Sequence, residues 1–176
     1  QGLEPLADII MKQREPQPKR VAQRFVNNQV ADAEQAIRGA QDIIAERISE
    51  DERTRQTVRQ SFRRNAVITS KVVKAKKDPD EARNYSGYFD WKEPLRRCSS
   101  HRLLAMRRGE REGILRVSIT TNDDECIEQL CRRYVHGRGP CQQLVEEAVE
   151  DGYGRLLEPS IENEFAALSK ERADDE

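Results

Sequence analysis

Residues 85–113 read YSGYFDWKEPLRRCSSHRLLAMRRGEREG. This stretch holds four of the nine Phe, Tyr and Trp residues of the chain, with His101 and six arginines among them. Aromatic rings next to a Glu-Pro turn commonly form a core plug under a loop, although rings beside arginines can also stack on unpaired bases. We therefore expect these aromatic rings to form a core plug under a loop, with base stacking as the alternative.

Charged side chains inside the same stretch predict an internal ion pair. Arg102 or Arg108 is expected to pair with one of the acids that flank it, and such a pair would fix the local geometry at a desolvation cost. The candidate acids are Glu93, Glu110 and Glu112. His101 follows Ser100 at a predicted helix start, where we expect its ring to cap or pack rather than to bind a metal.

A β-strand is predicted on either side of this stretch. Residues 66–73 and 114–120 are rich in β-branched residues and alternate in polarity, which is typical of half-buried strands. The two strands could pair, but a two-stranded ribbon is only marginally stable and must pack on helices. Between them we expect a short helix over residues 79–85 and a second over residues 101–108.

Helix boundaries follow from capping residues. Ser99 or Ser100 is predicted to cap the helix over residues 101–108, and Gly109 is predicted to end it. Asp32 with Gln35 predicts the start of an earlier helix, and Ser49 with Glu52 predicts a capping box that opens the next one.

Apolar residues recur with helical spacing through most of the remaining chain. Residues 32–48 show the clearest stripe, a helix over 49–64 follows, and Asp123 is predicted to cap another. Pro140 is predicted to open a helix to about residue 157, which Pro159 bends or breaks. We predict a mainly α multi-helix bundle with a small antiparallel β ribbon, in three segments: 1–65, 66–121 and 122–176.

Composition excludes several protein classes. Of the 176 residues, 36% are apolar and 36% charged, which suits one domain or two small ones with thin cores. The sequence contains no apolar run long enough to cross a membrane and no signal peptide, so we expect a cytoplasmic protein. Because the chain starts with Gln and stops within a helical pattern, we expect a fragment of a longer protein.

The sequence contains no recognisable catalytic or metal-binding motif. The two histidines lie 35 residues apart without a nucleophile elbow, and no glycine-rich phosphate loop is present. The four cysteines contain no Cys-x-x-Cys pair, so buried free thiols are expected, with a zinc site using His101 or His136 and disulfides as the alternatives. We expect no enzyme activity, no cofactor and no metal.

Charge is strongly segregated along the chain. Residues 53–77 contain nine Lys or Arg and no acid, whereas residues 122–176 contain fifteen acids and six basic residues. The basic run could track a phosphate backbone, or it could pair with the acidic last third. The candidate nucleic-acid-binding residues are Arg55, Arg59, Arg63, Arg64, Lys71, Lys74, Lys76, Lys77, Arg96 and Arg97.

Several motifs resemble the Tex family of bacterial transcription accessory proteins. They include GLEPLA at residues 2–7 and AQDIIAERISED at residues 40–51. Cys98-Ser99 departs from the family pattern, where an apolar residue and a proline are expected. The most specific matches, which we interpret as a structural motif, are Tyr88, Phe89, Glu93, Pro94, His101, Arg102, Arg108, Gly109, Glu112 and Gly113.

The resemblance implies a piece of a cytoplasmic nucleic-acid-binding factor. This piece would be a helical region, with a helix-turn-helix-like segment, upstream of an RNase-H-like domain; helix-hairpin-helix motifs and an RNA-binding OB-fold would follow. We expect a scaffold and auxiliary contact to RNA or DNA, weak in isolation and independent of sequence. The alternative is a protein-interaction module that docks RNA polymerase or neighbouring domains of the same protein.

Overall fold

A computed structural model describes residues 2–73 and 82–174. The described residues are mainly helical, with one small antiparallel sheet, as the sequence predicts. None of their helices is long and apolar enough to cross a membrane. The α-helices are α1 (Glu4–Lys12), α2 (Pro18–Ala22), α3 (Ala33–Glu50), α4 (Glu52–Asn65), α5 (Ser100–Arg111), α6 (Asp123–Tyr134), α7 (Pro140–Gly152) and α8 (Glu158–Asp174), and the strands are β1 (Val67–Val72), β2 (Asp90–Pro94) and β3 (Leu115–Thr120).

The chain divides into two compact units. We call the first, Gln1–Val58 with Asp123–Pro159, the helical unit, and the second, Arg59–Asn122 with Ser160–Glu176, the sheet unit. Each unit draws on two separate stretches of the chain and contains part of α4 and part of α8. The division into three consecutive segments remains a prediction about domain organisation. The presence of a helix-turn-helix-like segment also remains a prediction.

The helical unit is built around α3. The helix packs against α1, α2 and α7, and its buried stripe includes Ala36, Ala40, Ile44 and Ile48. Its start confirms the predicted capping pair, because the Asp32 carboxylate accepts from the backbone N–H of Gln35 at 2.8 Å.

The start of α4 differs from the prediction. Ser49 belongs to α3, where its hydroxyl donates to the carbonyl of Glu46 at 2.8 Å. The chain breaks at Asp51 instead, where the backbone is extended and the carboxylate accepts from the N–H of Arg53 at 2.8 Å. The capping box at Ser49 was therefore wrong, because serine bonded back to its own helix while aspartate supplied the acceptor for the next one.

The join between α7 and α8 also differs in detail. α7 ends at Gly152, a π-helical turn covers Tyr153–Leu157, and α8 follows directly with Pro159 in its first turn. Helical structure therefore continues through Pro159, and the proline, which has no N–H to complete the regular ladder of hydrogen bonds, lies just after the π-helical turn.

The sheet unit contains a three-stranded sheet in the order β2-β1-β3, antiparallel throughout. The pairing of β1 with β3 confirms the expected ribbon. Strand β2 was missed, because its sequence DWKEP holds one aromatic residue and ends in proline, so it carries little strand signal. On β1, Ile68 and Ser70 are buried while Lys71 is exposed.

Helix α5 is longer than predicted. Ser99 is its N-cap, accepting from the N–H of Arg102 at 3.2 Å, but the helix continues through Gly109 to Arg111. A Cβ at Gly109 would lie 2.5 Å from a methyl carbon of Leu115, so this glycine permits close packing and does not end the helix. The turn that follows contains Gly113 at φ 77°, a left-handed conformation that favours glycine.

Candidate nucleic-acid interface

Aromatic residues from the stretch 85–113 help to form a small apolar core in the sheet unit. Tyr85 is buried with Ala82, Ile114 and Leu115, and Tyr88 and Phe89 pack against this cluster half-buried. These contacts favour the core interpretation of the rings over base stacking.

The carboxylate of Glu93 accepts three hydrogen bonds from side chains of the 85–113 stretch. Arg102 donates to it through Nε and Nη2, each at 2.8 Å, and the indole N–H of Trp91 donates at 2.8 Å. The Arg102 guanidinium also lies 6.0 Å from the centre of the Trp91 ring. The hydrogen bonds from Arg102 lower the pKa of Glu93, although burial acts in the opposite direction. The predicted ion pair is therefore the pair of Glu93 with Arg102.

The remaining motif residues lie in or next to β2 and on or just after α5. Tyr85 donates its hydroxyl to Glu112 at 2.5 Å, and burial together with this bond raises the pKa of Tyr85. The carbonyl of Phe89 accepts from the N–H of Val72, and Pro94 stands opposite Val67 in the sheet. The side chains of His101 and Arg108 are exposed on α5.

The candidate cations of α4 have different partners. Arg59 donates to both carboxylate oxygens of Glu164, at 3.0 and 2.9 Å, and only 18% of its side chain is exposed. Arg55, in the helical unit, donates to the carbonyl of Ser49. Arg63 is exposed, and Arg64 is exposed with a contact to Gln60 at 3.3 Å.

The other candidate cations lie on the sheet or after β2. Lys71 is exposed and pairs with Asp90 across the sheet. Arg96 and Arg97 are exposed on a short helical turn directly after β2, and Arg96 lines the same depression as Arg63. Lys74, Lys76 and Lys77 lie outside the described residues.

Two exposed cations that the sequence analysis did not single out join Lys71 on the outer face of the sheet. Arg116 stands opposite Lys71, and Lys92 stands opposite Thr69, whose other partner is Ser118. Neither Lys92 nor Arg116 has an ion-pair partner within residues 2–73 and 82–174. The alternation in β3, where Arg116 falls between Leu115 and Val117, was the signal that could have identified Arg116.

Charge is distributed unequally between the two units. The helical unit contains 13 Lys and Arg against 19 Asp and Glu, whereas the sheet unit contains 18 against 13. The sheet unit is thus the basic part of the chain, even though it includes the acidic last residues.

The cysteines are free thiols. Cys98, Cys126 and Cys141 are buried and Cys131 is half-buried, and burial raises the pKa of Cys98 to about 11. Such a thiol is protonated at neutral pH and is a poor nucleophile. Within the described ranges, no group of three or more His, Cys, Asp and Glu residues could hold a metal ion.

Comparison with known proteins gives a consistent result. Residues 13–176 match the model of the family described as Tex central region-like. The chain is 35% identical over 179 residues to uncharacterized protein YdcI of Bacillus subtilis, covering 99% of this chain and 25% of that protein. It is 36% identical over 124 residues to transcriptional accessory protein Tex of Neisseria gonorrhoeae, covering 70% of this chain and 16% of that protein.

A more distant relative is S1 RNA-binding domain-containing protein 1 of Pongo abelii, 27% identical over 140 residues that cover 73% of this chain and 14% of that protein. The chain thus spans a quarter or less of the length of these relatives. With the family model matched along nearly the whole sequence, the chain belongs to the Tex central region-like family.

Proposed function

We propose that this chain is a non-catalytic part of a Tex-like transcription accessory factor, in which the sheet unit contacts the phosphate backbone of RNA or DNA. The observation that carries the proposal is the outer face of the sheet, where Lys71, Lys92 and Arg116 are exposed. Lysine and arginine on an open surface neutralise phosphates and release their counterions, which gives binding without sequence preference.

The chemistry of the outer face fits a backbone contact better than base recognition. Hydroxyls of Thr69, Ser118 and Thr120 lie on the same face as the cations and can donate to phosphate oxygens. The strand positions that share this face carry no aromatic ring on which a base could stack. The single carboxylate is Asp90, which pairs with Lys71.

A charge-reversal experiment tests the proposal. The variant Lys92→Glu/Arg97→Glu/Arg116→Glu changes exposed cations of the sheet unit, and Arg14→Glu/Lys19→Glu/Arg24→Glu makes the same change in net charge in the helical unit. We leave Arg59 unchanged, because a glutamate there would face Glu164 and destabilise the fold. Fluorescence anisotropy would measure how tightly each variant binds labelled single-stranded RNA, single-stranded DNA and duplex DNA at low and high salt.

We expect the sheet-unit variant to weaken binding at low salt by at least about tenfold, and the helical-unit variant by much less. Circular dichroism would confirm that both variants fold. Equal loss in the two variants would mean that net charge, and not the cations of the sheet unit, drives binding. No binding by the unsubstituted chain would refute the proposal.

A further inference from the structure

An apolar depression in the sheet unit is not explained by contact with a phosphate backbone. Its volume is about 240 Å³, enough for one bulky side chain. The lining residues come from α4, the turn after β2, and α8; they are Phe62, Arg63, Leu95, Arg96, Phe165, Leu168, Ser169 and Arg172.

The floor and mouth of this groove are hydrophobic. The rings of Phe62 and Phe165 lie 5.3 Å apart, Phe62 buried and Phe165 half-buried. Leu168 is 54% exposed, more than any other large hydrophobic side chain in the described part of the chain. Single exposed leucines are common on protein surfaces, but this one extends an apolar depression and enlarges the surface that a partner could cover.

The polar lining of the groove is cationic. Its charged members are Arg63, Arg96 and Arg172, and no carboxylate of the described residues lines it. Arg172 is held by the carbonyls of Leu95 and Cys98. Arg63 and Arg96 are exposed, and within the described ranges neither has an ion-pair partner.

The remaining polar group of the lining needs no ligand. The Ser169 hydroxyl accepts from Arg107 at 2.7 and 3.1 Å and donates to the carbonyl of Ala166 at 2.8 Å. An occupant would therefore meet an apolar floor at the centre and two available guanidinium groups at the edge.

We propose that this groove binds a protein segment in which one bulky apolar side chain is flanked by Asp or Glu. The apolar side chain covers Leu168 and the floor, and the carboxylates form charge-assisted bonds with Arg63 and Arg96. A small apolar pocket bordered by arginines is typical of the anchor sites in protein interfaces. A nucleic-acid base would need an open ring face for stacking, whereas Phe62 is buried and Phe165 is half-buried with its ring packed against Phe62. The remaining apolar members of the lining are two leucines, which are aliphatic.

Selection from a displayed library of random peptides tests this inference on the 176-residue chain. We expect the enriched peptides to share a large apolar residue with neighbouring Asp or Glu. Binding of a synthetic enriched peptide should weaken at least about tenfold with Leu168→Glu and with Arg96→Glu, as for other interface anchors. The controls are Val26→Glu, which also replaces an exposed apolar residue by glutamate, and Arg14→Glu, which makes the same change as Arg96→Glu; both lie in the helical unit.

The outcomes separate this inference from the proposed nucleic-acid contact. Leu168→Glu should leave oligonucleotide binding unchanged, because Leu168 does not lie on the outer face of the sheet. Enrichment without the apolar-acidic pattern, or peptide binding that survives Leu168→Glu, would overturn the inference. Loss of oligonucleotide binding in Leu168→Glu would assign the groove to nucleic acid and would overturn it equally.

Discussion

Glu93 illustrates how one carboxylate organises part of the sheet unit. Its side chain is 11% exposed and accepts hydrogen bonds from Arg102 and Trp91, so three side chains from β2 and α5 are fixed relative to one another. The pair is only partly buried, since 36% of the Arg102 side chain is exposed, but removing Arg102 or Glu93 would leave hydrogen-bonding groups of the other without a partner.

Replacing Glu93 by Gln should lower the free energy of unfolding by about 2 kcal/mol at neutral pH, because charge-assisted bonds become weaker neutral ones. The pKa of Glu93 is lowered in the folded chain from 4.5, so the ionised form contributes stability above that value and loses it as pH falls through the folded pKa. Urea unfolding at several pH values should therefore show the deficit of Glu93→Gln shrinking toward acidic pH.

The control for this prediction is Glu128→Gln. Glu128 pairs with Arg132 on the exposed surface of α6, where such a pair contributes little. A constant deficit of Glu93→Gln across the acid range, or an equal loss in Glu128→Gln, would contradict the role assigned to Glu93.

At the scale of the element, substitutions at Asp51 and Ser49 test which of these residues caps α4. Asp51→Ala should cost about 1 kcal/mol, because the carboxylate accepts from the N–H of Arg53 and from the hydroxyl of Tyr134. Ser49→Ala should cost much less, since its hydroxyl only donates back to a carbonyl of α3. Chemical denaturation compares the two variants, and a larger cost for Ser49→Ala would restore the capping box that the sequence favoured.

Elements with a strong periodic pattern were predictable, and elements defined by tertiary contacts were not. The stripe of α3 and the alternation of β1 and β3 carry their own signal, because one face of each is buried. Strand β2 has a weak pattern and pairs only because β1 offers an edge. Gly109 was misjudged for a related reason, since only the fold reveals that Leu115 packs against it.

Over the whole molecule, charges that are separated along the sequence come together in the fold, because the acidic last residues belong to the same unit as much of the basic run. The basic run and the acidic end predicted either a backbone contact or internal pairing, and the sheet unit contains an internal ion pair together with exposed cations. Residues 160–176 belong to the sheet unit, where Glu164 forms an ion pair with Arg59. Lys92 and Arg116 are two of the exposed cations that lack an ion-pair partner among the described residues, and both come from strands whose partners are distant in sequence.

This distribution predicts how the salt dependence of nucleic-acid binding should change. Each phosphate contact releases counterions, so the logarithm of the binding constant falls with the logarithm of salt concentration in proportion to the number of contacts. With a single-stranded ligand, Lys92→Ala and Arg116→Ala should each reduce the magnitude of that slope by about 0.7, and the double variant by about 1.4. Lys19→Ala, on an exposed cation of the helical unit, should leave the slope unchanged. Anisotropy titrations with single-stranded RNA over a salt series measure these slopes. If Lys19→Ala changed the slope as much as Lys92→Ala, the contacts would be spread over both units, and the outer face of the sheet would lose its special role.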